Sequence, residues 1–268
     1  MNRRLSAILL ASVLSTLHVS AFADSADNLL KLHQVRLAAQ KTLGDFYMYN
    51  GMEGDLRYAH AIEASLQQAD ESLKQMSTMP GESSQALHTQ LNTQWAGYES
   101  SLKTLVAQIK NQGFPDLQPI ADLAARNQTL IDLSQELYSK IQQESGEQVP
   151  PLTQQSRDQS VLMQTISVDY ASRSASVGGS FFGGNEDARP IDELVKEFAG
   201  KLNSMESAPQ NTPQIKQGLE SVSTKWRYIE KSLQNYNENS VPFLVNKYSD
   251  SIIDGLEAVA AQYAVAKL

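Results

Sequence analysis

The chain has 268 residues, no cysteine, and 30 acidic against 22 basic side chains, which give a formal net charge of −8 at pH 7. An acidic chain without basic runs is poorly suited to bind nucleic acid or an anionic lipid surface, so we expect no nucleic-acid partner. Since no disulfide can form, stability must come from packing, and the length allows two small hydrophobic cores.

The N-terminus has the pattern of a secretory signal peptide. Arg3-Arg4 precede a mostly apolar run from Leu5 to Val19, which leads to the small-x-small sequence Ala21-Phe22-Ala23. That run is shorter than the roughly 20 residues that a membrane-spanning helix needs. We therefore predict a signal peptide over residues 1–23 and a soluble periplasmic protein that begins at Asp24. Its charge changes from −8 to −10, because two arginines and no acid are removed.

Apolar residues at alternating spacings of four and three predict four helices in the first half of the chain. The first runs from Asp27 to about Tyr49 and ends at Asn50-Gly51. The helices that follow are separated by Pro80-Gly81 and by Gly113-Phe114-Pro115, and the fourth begins near Pro119. The segment from Gly146 to Pro151 contains two prolines and predicts a linker.

The second half repeats this plan with four more helices, and no segment has the pattern of a strand. The fifth helix is expected from Gln154 to about Ser174, with Leu162, Ile166 and Tyr170 on its apolar stripe. Pro190 is expected in the first turn of the sixth helix, and Thr212-Pro213 opens the seventh. The eighth carries Val245, Ile252, Leu256, Val259 and Tyr263.

The third and seventh helices are copies of each other. Five apolar pairs are each separated by 131 residues: Leu91/Val222, Trp95/Trp226, Tyr98/Ile229, Leu102/Leu233 and Leu105/Tyr236. The two tryptophans are the only ones in the chain, and their spacing predicts core positions. The sequence thus predicts an all-α protein with two tandem antiparallel four-helix bundles, at 24–146 and 152–268. The linker spans about 20 Å when extended, which leaves side-by-side and end-to-end arrangements open.

No catalytic or metal-binding signature is visible. None of His33, His60 and His88 belongs to a Glu-x-x-His pair, and the chain has no Ser-His-Asp signature. The glycine-rich segment 178–184, which contains Phe181-Phe182, lacks the Lys-Ser/Thr of a phosphate-binding loop. We therefore expect no enzyme, no metal and no cofactor. The phenylalanine pair is expected to fold back onto the helix ends, with a partner contact as the alternative.

A motif in the first helix carries a family resemblance. The residues Arg36-Leu37-Ala38-Ala39-Gln40-Lys41 resemble the Arg-Met-Leu-Ser-Gln-Arg core of the PilJ-type sensory domain. That domain is found at the N-terminus of type IV pilus methyl-accepting chemotaxis transducers and in nitrate sensor kinases. Arg36 and Gln40 match identically, Leu37 and Lys41 match conservatively, and the two alanines depart. In the second half the aligned stretch begins at Ser160, 124 residues after Arg36, and lacks both basic residues.

The resemblance implies a periplasmic ligand-sensing bundle with Arg36, Gln40 and Lys41 as ligand-binding residues. In nitrate-sensing members an arginine from each of two subunits holds one small planar anion, for which the guanidinium fork is suited. It also implies a membrane sensor or chemoreceptor as partner and leaves room for a homodimer. A solvent-exposed Arg36 without a ligand is the alternative. Two functions therefore stay open: a soluble sensory or ligand-binding protein, and a structural or scaffolding helical module.

Overall fold

The computed structural model describes residues 3–266 apart from 77, 176–188, 237 and 239, and it describes side chains from residue 24 onward. The described residues form eight α-helices and no strand, so the all-α prediction is confirmed. The helices are α1 (Arg3–Gly51), α2 (Leu56–Gln75), α3 (Glu82–Gln112), α4 (Leu117–Ser145), α5 (Pro151–Ala175), α6 (Ile191–Glu206), α7 (Pro213–Gln234) and α8 (Pro242–Val265). The side chains of the predicted signal peptide and the Phe181-Phe182 segment lie outside the described residues.

The helix ends follow local chemistry. Gly113 and Gly146 end α3 and α4 with φ angles of 84° and 74°, the left-handed conformation that glycine adopts most easily. Thr212 caps α7 as predicted, since its hydroxyl accepts a hydrogen bond from the backbone N–H of Ile215. Pro190 precedes α6 as its cap instead of lying in the first turn. The helix α5 begins at Pro151, three residues earlier than expected, because proline is tolerated at a first helical position.

The helices α1 to α4 surround one hydrophobic cluster. Trp95 is 4% exposed within it, which confirms its predicted core position, and its indole N–H donates to Asp70 Oδ1 of α2 at 2.7 Å. A buried polar contact lies at the same level, where Thr42 and the Tyr98 hydroxyl are 2.7 Å apart. These contacts connect α3 to its neighbours α1 and α2 and fix the axial position of the helix.

The helices α5 to α8 surround a second hydrophobic cluster. Trp226 is 3% exposed and packs on Phe198, with ring centroids 4.4 Å apart, so its predicted core position is also confirmed. The buried positions of α4 recur in α8 at a constant separation of 122 residues: Leu123/Val245, Leu130/Ile252, Leu137/Val259 and Ile141/Tyr263. In α5, Leu162 is only half-buried while its neighbours Val161 and Met163 are buried, which differs from the predicted stripe.

The two helical halves lie side by side, with α1 packed in parallel against α5. A methyl group added at Gly44 would lie 3.2 Å from Val168 Cγ2, and one at Gly51 would lie 3.3 Å from Ala175 Cα. Both pairs are separated by 124 residues, the offset at which the sequence aligns these helices. Leu37 of α1 belongs to the second hydrophobic cluster. Of the side-by-side and end-to-end arrangements that the linker length allows, the structure has the side-by-side one.

Candidate functional site

A large open groove lies where α4, α5 and α6 meet. Its volume is about 560 Å³, which is within the usual range of ligand sites. Five of its ten lining residues are glutamines, so the groove offers neutral hydrogen-bond donors and acceptors in equal number. We call it the amide groove; it is lined by Gln135, Tyr138, Gln142, Gln148, Val149, Pro151, Gln154, Gln155, Asp158 and Lys201.

Arg36 does not line the amide groove but lies in a small cavity beside it. A small adjoining cavity is lined by Arg36 and shares four lining residues with the groove: Gln135, Tyr138, Gln154 and Asp158. Arg36 Nη1 donates to Gln135 Oε1 at 2.7 Å, and its Nε is buried without a hydrogen-bond partner. Among the described residues no carboxylate lies within 4 Å of the guanidinium. Arg36 is therefore a half-buried cation whose direct hydrogen-bond partner is a neutral amide.

The surroundings of Arg36 act on its charge in two opposing ways. Burial lowers the pKa of the guanidinium, because removal from water disfavours the charged form. The charge of Asp158 opposes this effect most strongly, followed by Tyr138 and Asp132. An arginine stays protonated under such conditions. The site therefore holds a permanent positive charge that an anion could neutralise.

Arg157 is a buried cation near the groove, and sequence reasoning did not identify it. It is 8% exposed and hydrogen-bonds the Tyr138 hydroxyl, which in turn donates to Gln154 Oε1. Burial raises the pKa of Tyr138, while the charge of Arg157 lowers it. Arg157 lies one helical turn before Ser160, the residue that aligns with Arg36. A search one turn to either side of the aligned position would have found it.

The three predicted ligand residues do not meet at one site. Gln40 Nε2 donates to Thr165 Oγ1 at 3.1 Å, between α1 and α5. Lys41 Nζ lies 2.7 Å from Asp250 Oδ1 of α8 and 3.6 Å from Asp45 Oδ2. Of the three, only Arg36 is among the residues that line the cavity beside the amide groove.

A buried carboxylate lies beside Lys41. Asp45 is 1% exposed, and burial raises the pKa of its carboxyl to about 7, although the charge of Lys41 lowers it. Like-charge repulsion from the nearby Asp250 contributes to this increase, while a hydrogen bond from the side-chain amide of Asn246 opposes it. The Tyr58 hydroxyl of α2 is buried close by without a hydrogen-bond partner. The charged group of Lys41, Asp45 and Asp250 thus connects α1 to α8.

Neither Ser160 nor His33 lines the amide groove, but His33 lines the small cavity that contains Arg36. Ser160 is buried, and its hydroxyl lies within reach of two acceptors that share its one proton: the carbonyl of Ser156 at 3.3 Å and the carboxylate of Glu257 of α8. His33 Nε2 lies 2.9 Å from Glu257 Oε1. In the part of the chain that the structure describes, no three His, Cys, Asp or Glu side chains are placed to hold a metal ion.

Within the same described ranges, no helix combines the length and the apolar character needed to cross a membrane. Comparison with protein-family models, with curated proteins and with solved structures finds no match for the chain.

Proposed function

We propose that the chain is a periplasmic sensory or ligand-binding module that binds a small anion at Arg36. The amide groove is its ligand entrance, and a membrane sensor or chemoreceptor is the partner that would receive its signal. The resemblance of the first-helix motif to PilJ-type domains supports this proposal, and nitrate is the reference anion that the resemblance suggests.

The observation that carries the proposal is the charge balance at Arg36. Removing part of a guanidinium from water costs free energy unless a negative charge or several hydrogen bonds compensate it. Arg36 makes one hydrogen bond to a neutral amide, and its Nε has no partner. A planar oxyanion that replaced the Gln135 amide oxygen would supply both charge and acceptors.

Isothermal titration calorimetry with nitrate and nitrite tests the proposal. We expect Arg36→Ala to weaken binding about tenfold or more, the effect of losing a hydrogen bond to a charged group. Arg227→Ala removes an exposed arginine of α7, and Ser160→Ala removes the aligned serine. Both should bind like the parent. Undiminished binding by Arg36→Ala would overturn the proposed site, and light scattering in the same samples determines whether a homodimer is involved.

A scaffolding module without a ligand is the second candidate, and exposed apolar residues favour it. Leu56, Phe114, Leu117 and Phe243 are 46–69% exposed, and all four lie at the end of the molecule where α1 and α3 terminate. Exposed apolar residues gathered in one region are typical of protein contact surfaces. If the parent binds no anion, and if Phe114→Ser and Phe243→Ser abolish capture of a membrane partner, the scaffolding function replaces the sensory one.

A further inference from the structure

The amide groove is much larger than a small inorganic anion. Its volume of about 560 Å³ corresponds to roughly 19 water molecules at about 30 Å³ each. A planar oxyanion of four heavy atoms displaces only one or two of these. The glutamine amides along the rest of the groove would then contact only solvent, so the size of the groove favours a larger polar ligand.

Asp158 places a second requirement on the ligand, which must be able to donate a hydrogen bond to its carboxylate. It lines both the groove and the cavity that contains Arg36, and it is exposed. One of its carboxylate oxygens accepts a hydrogen bond from Gln154 Nε2 at 2.8 Å. An oxyanion without hydrogens would be repelled by this carboxylate. A ligand with hydroxyl groups would instead donate to it a charge-assisted hydrogen bond.

We infer that the ligand is a hydroxylated carboxylic acid, whose carboxylate is held by Arg36 and whose hydroxyl groups donate to Asp158. This inference rests on the proposed anion-binding function of Arg36. The amides of Gln142, Gln148 and Gln155 supply donors and acceptors for the remaining hydroxyl groups, since each amide can do both. Asp158 is then the residue that determines specificity between hydroxy acids and inorganic anions.

Four probes that differ in size, charge and hydroxyl groups test this inference by calorimetry on the mature chain. Gluconate carries six carbons, a carboxylate and hydroxyl groups; hexanoate has the same length and charge without hydroxyls; sorbitol has the hydroxyls without the charge; nitrate is the small anion. We expect gluconate to bind at least tenfold more tightly than the other three. We expect Arg36→Ala to weaken gluconate and nitrate binding alike.

Asp158→Asn gives the sharpest result, because its effects on two ligands have opposite signs. Loss of the carboxylate should weaken gluconate binding about tenfold, the effect of one charge-assisted hydrogen bond. The same change should strengthen nitrate binding, because it removes a repulsive charge. Asp132→Asn is the matched control: its charge also acts on Arg36, but the residue does not line the groove, so it should shift both affinities slightly upward.

The outcomes separate this inference from the proposed function. If nitrate binds through Arg36 as tightly as gluconate, or if Asp158→Asn strengthens both ligands, the hydroxy-acid inference is wrong and the anion site stands. If gluconate binding survives Arg36→Ala, or sorbitol binds equally well, the proposed anion site is wrong, and the inference is overturned with it. Binding of none of the four probes overturns the inference as well, while nitrite remains as the test of the anion site.

Discussion

The substitution Asp45→Asn is expected to change the dependence of stability on pH. Asp45 is buried at the contact of α1 with α8, and its folded-state pKa is raised to about 7 from an ordinary value of 3.8. The folded protein therefore binds a proton at this carboxyl more tightly than the unfolded chain does. The contribution of the Asp45 carboxyl to the free energy of unfolding is therefore full below pH 3.8, and it is lost as the pH rises to about 7. Asparagine stays neutral and has no such dependence.

The magnitude follows from the difference between the two pKa values. A difference of about three pKa units corresponds to about 4 kcal/mol at about 1.36 kcal/mol per unit. We expect Asp45→Asn to gain about 2–4 kcal/mol relative to the parent between pH 4 and pH 8. Lys41 keeps its ion pair with Asp250 at 2.7 Å in the variant, so the α1–α8 contact persists.

Urea unfolding of parent and variant at several pH values between 4 and 8 measures this effect. The quantity of interest is the difference in the free energy of unfolding, since other carboxyl groups titrate equally in both proteins. Asp132→Asn is the control, because Asp132 is exposed on α4. A difference that stays constant across this pH range would refute the reasoning and show that Asp45 is ionised in the folded protein throughout.

Three further predictions concern packing and processing. Trp95→Ala and Trp226→Ala should each cost roughly 3–5 kcal/mol in urea unfolding, and no loss at either would contradict equivalent core roles. Gly255→Ala should lower the melting temperature, because the added methyl would lie 2.7 Å from Val222 Cγ2, and an unchanged melting temperature would mean that α7 and α8 can separate. The exported protein should begin at Asp24 and fractionate as soluble, and an intact N-terminus in the membrane fraction would contradict the signal peptide.

The helical fold could be predicted from the sequence because the spacing of apolar residues within each helix indicates which of its faces is buried. The spacing around Trp95 and Trp226 reports one packed face per helix, and the structure buries both indoles. The fifth helix was harder, because α1 and α8 cover its polar face. Gln164 is buried beside Gly44 of α1, and Ser156 is buried where its hydroxyl donates to the Leu256 carbonyl of α8, which apolar periodicity cannot reveal.

The site was only partly predictable because it is assembled from distant parts of the chain. Arg36 was chosen from its motif and from its position beside the buried Val35, and it does line a cavity. Tyr138 and Asp158 come from α4 and α5, and no spacing within one helix indicates that they share a cavity with Arg36. The raised pKa of Asp45 comes mainly from burial and also from the charge of Asp250, which lies about 200 residues away in the chain.

The parallel register of α1 and α5 has a consequence for symmetry. Arg36 donates to Gln135 on one side of the α1–α5 contact. At the equivalent positions, 124 and 122 residues later, Ser160 hydrogen-bonds Glu257 on the other side. A homodimer of identical halves would repeat every interface residue by its twofold axis. Because both halves belong to one chain, one side carries a cation with a neutral partner and the other a neutral group with an acid. The chain therefore has one such arginine site instead of two equivalent ones, and a ligand held by Arg36 would bind with a stoichiometry of one per chain.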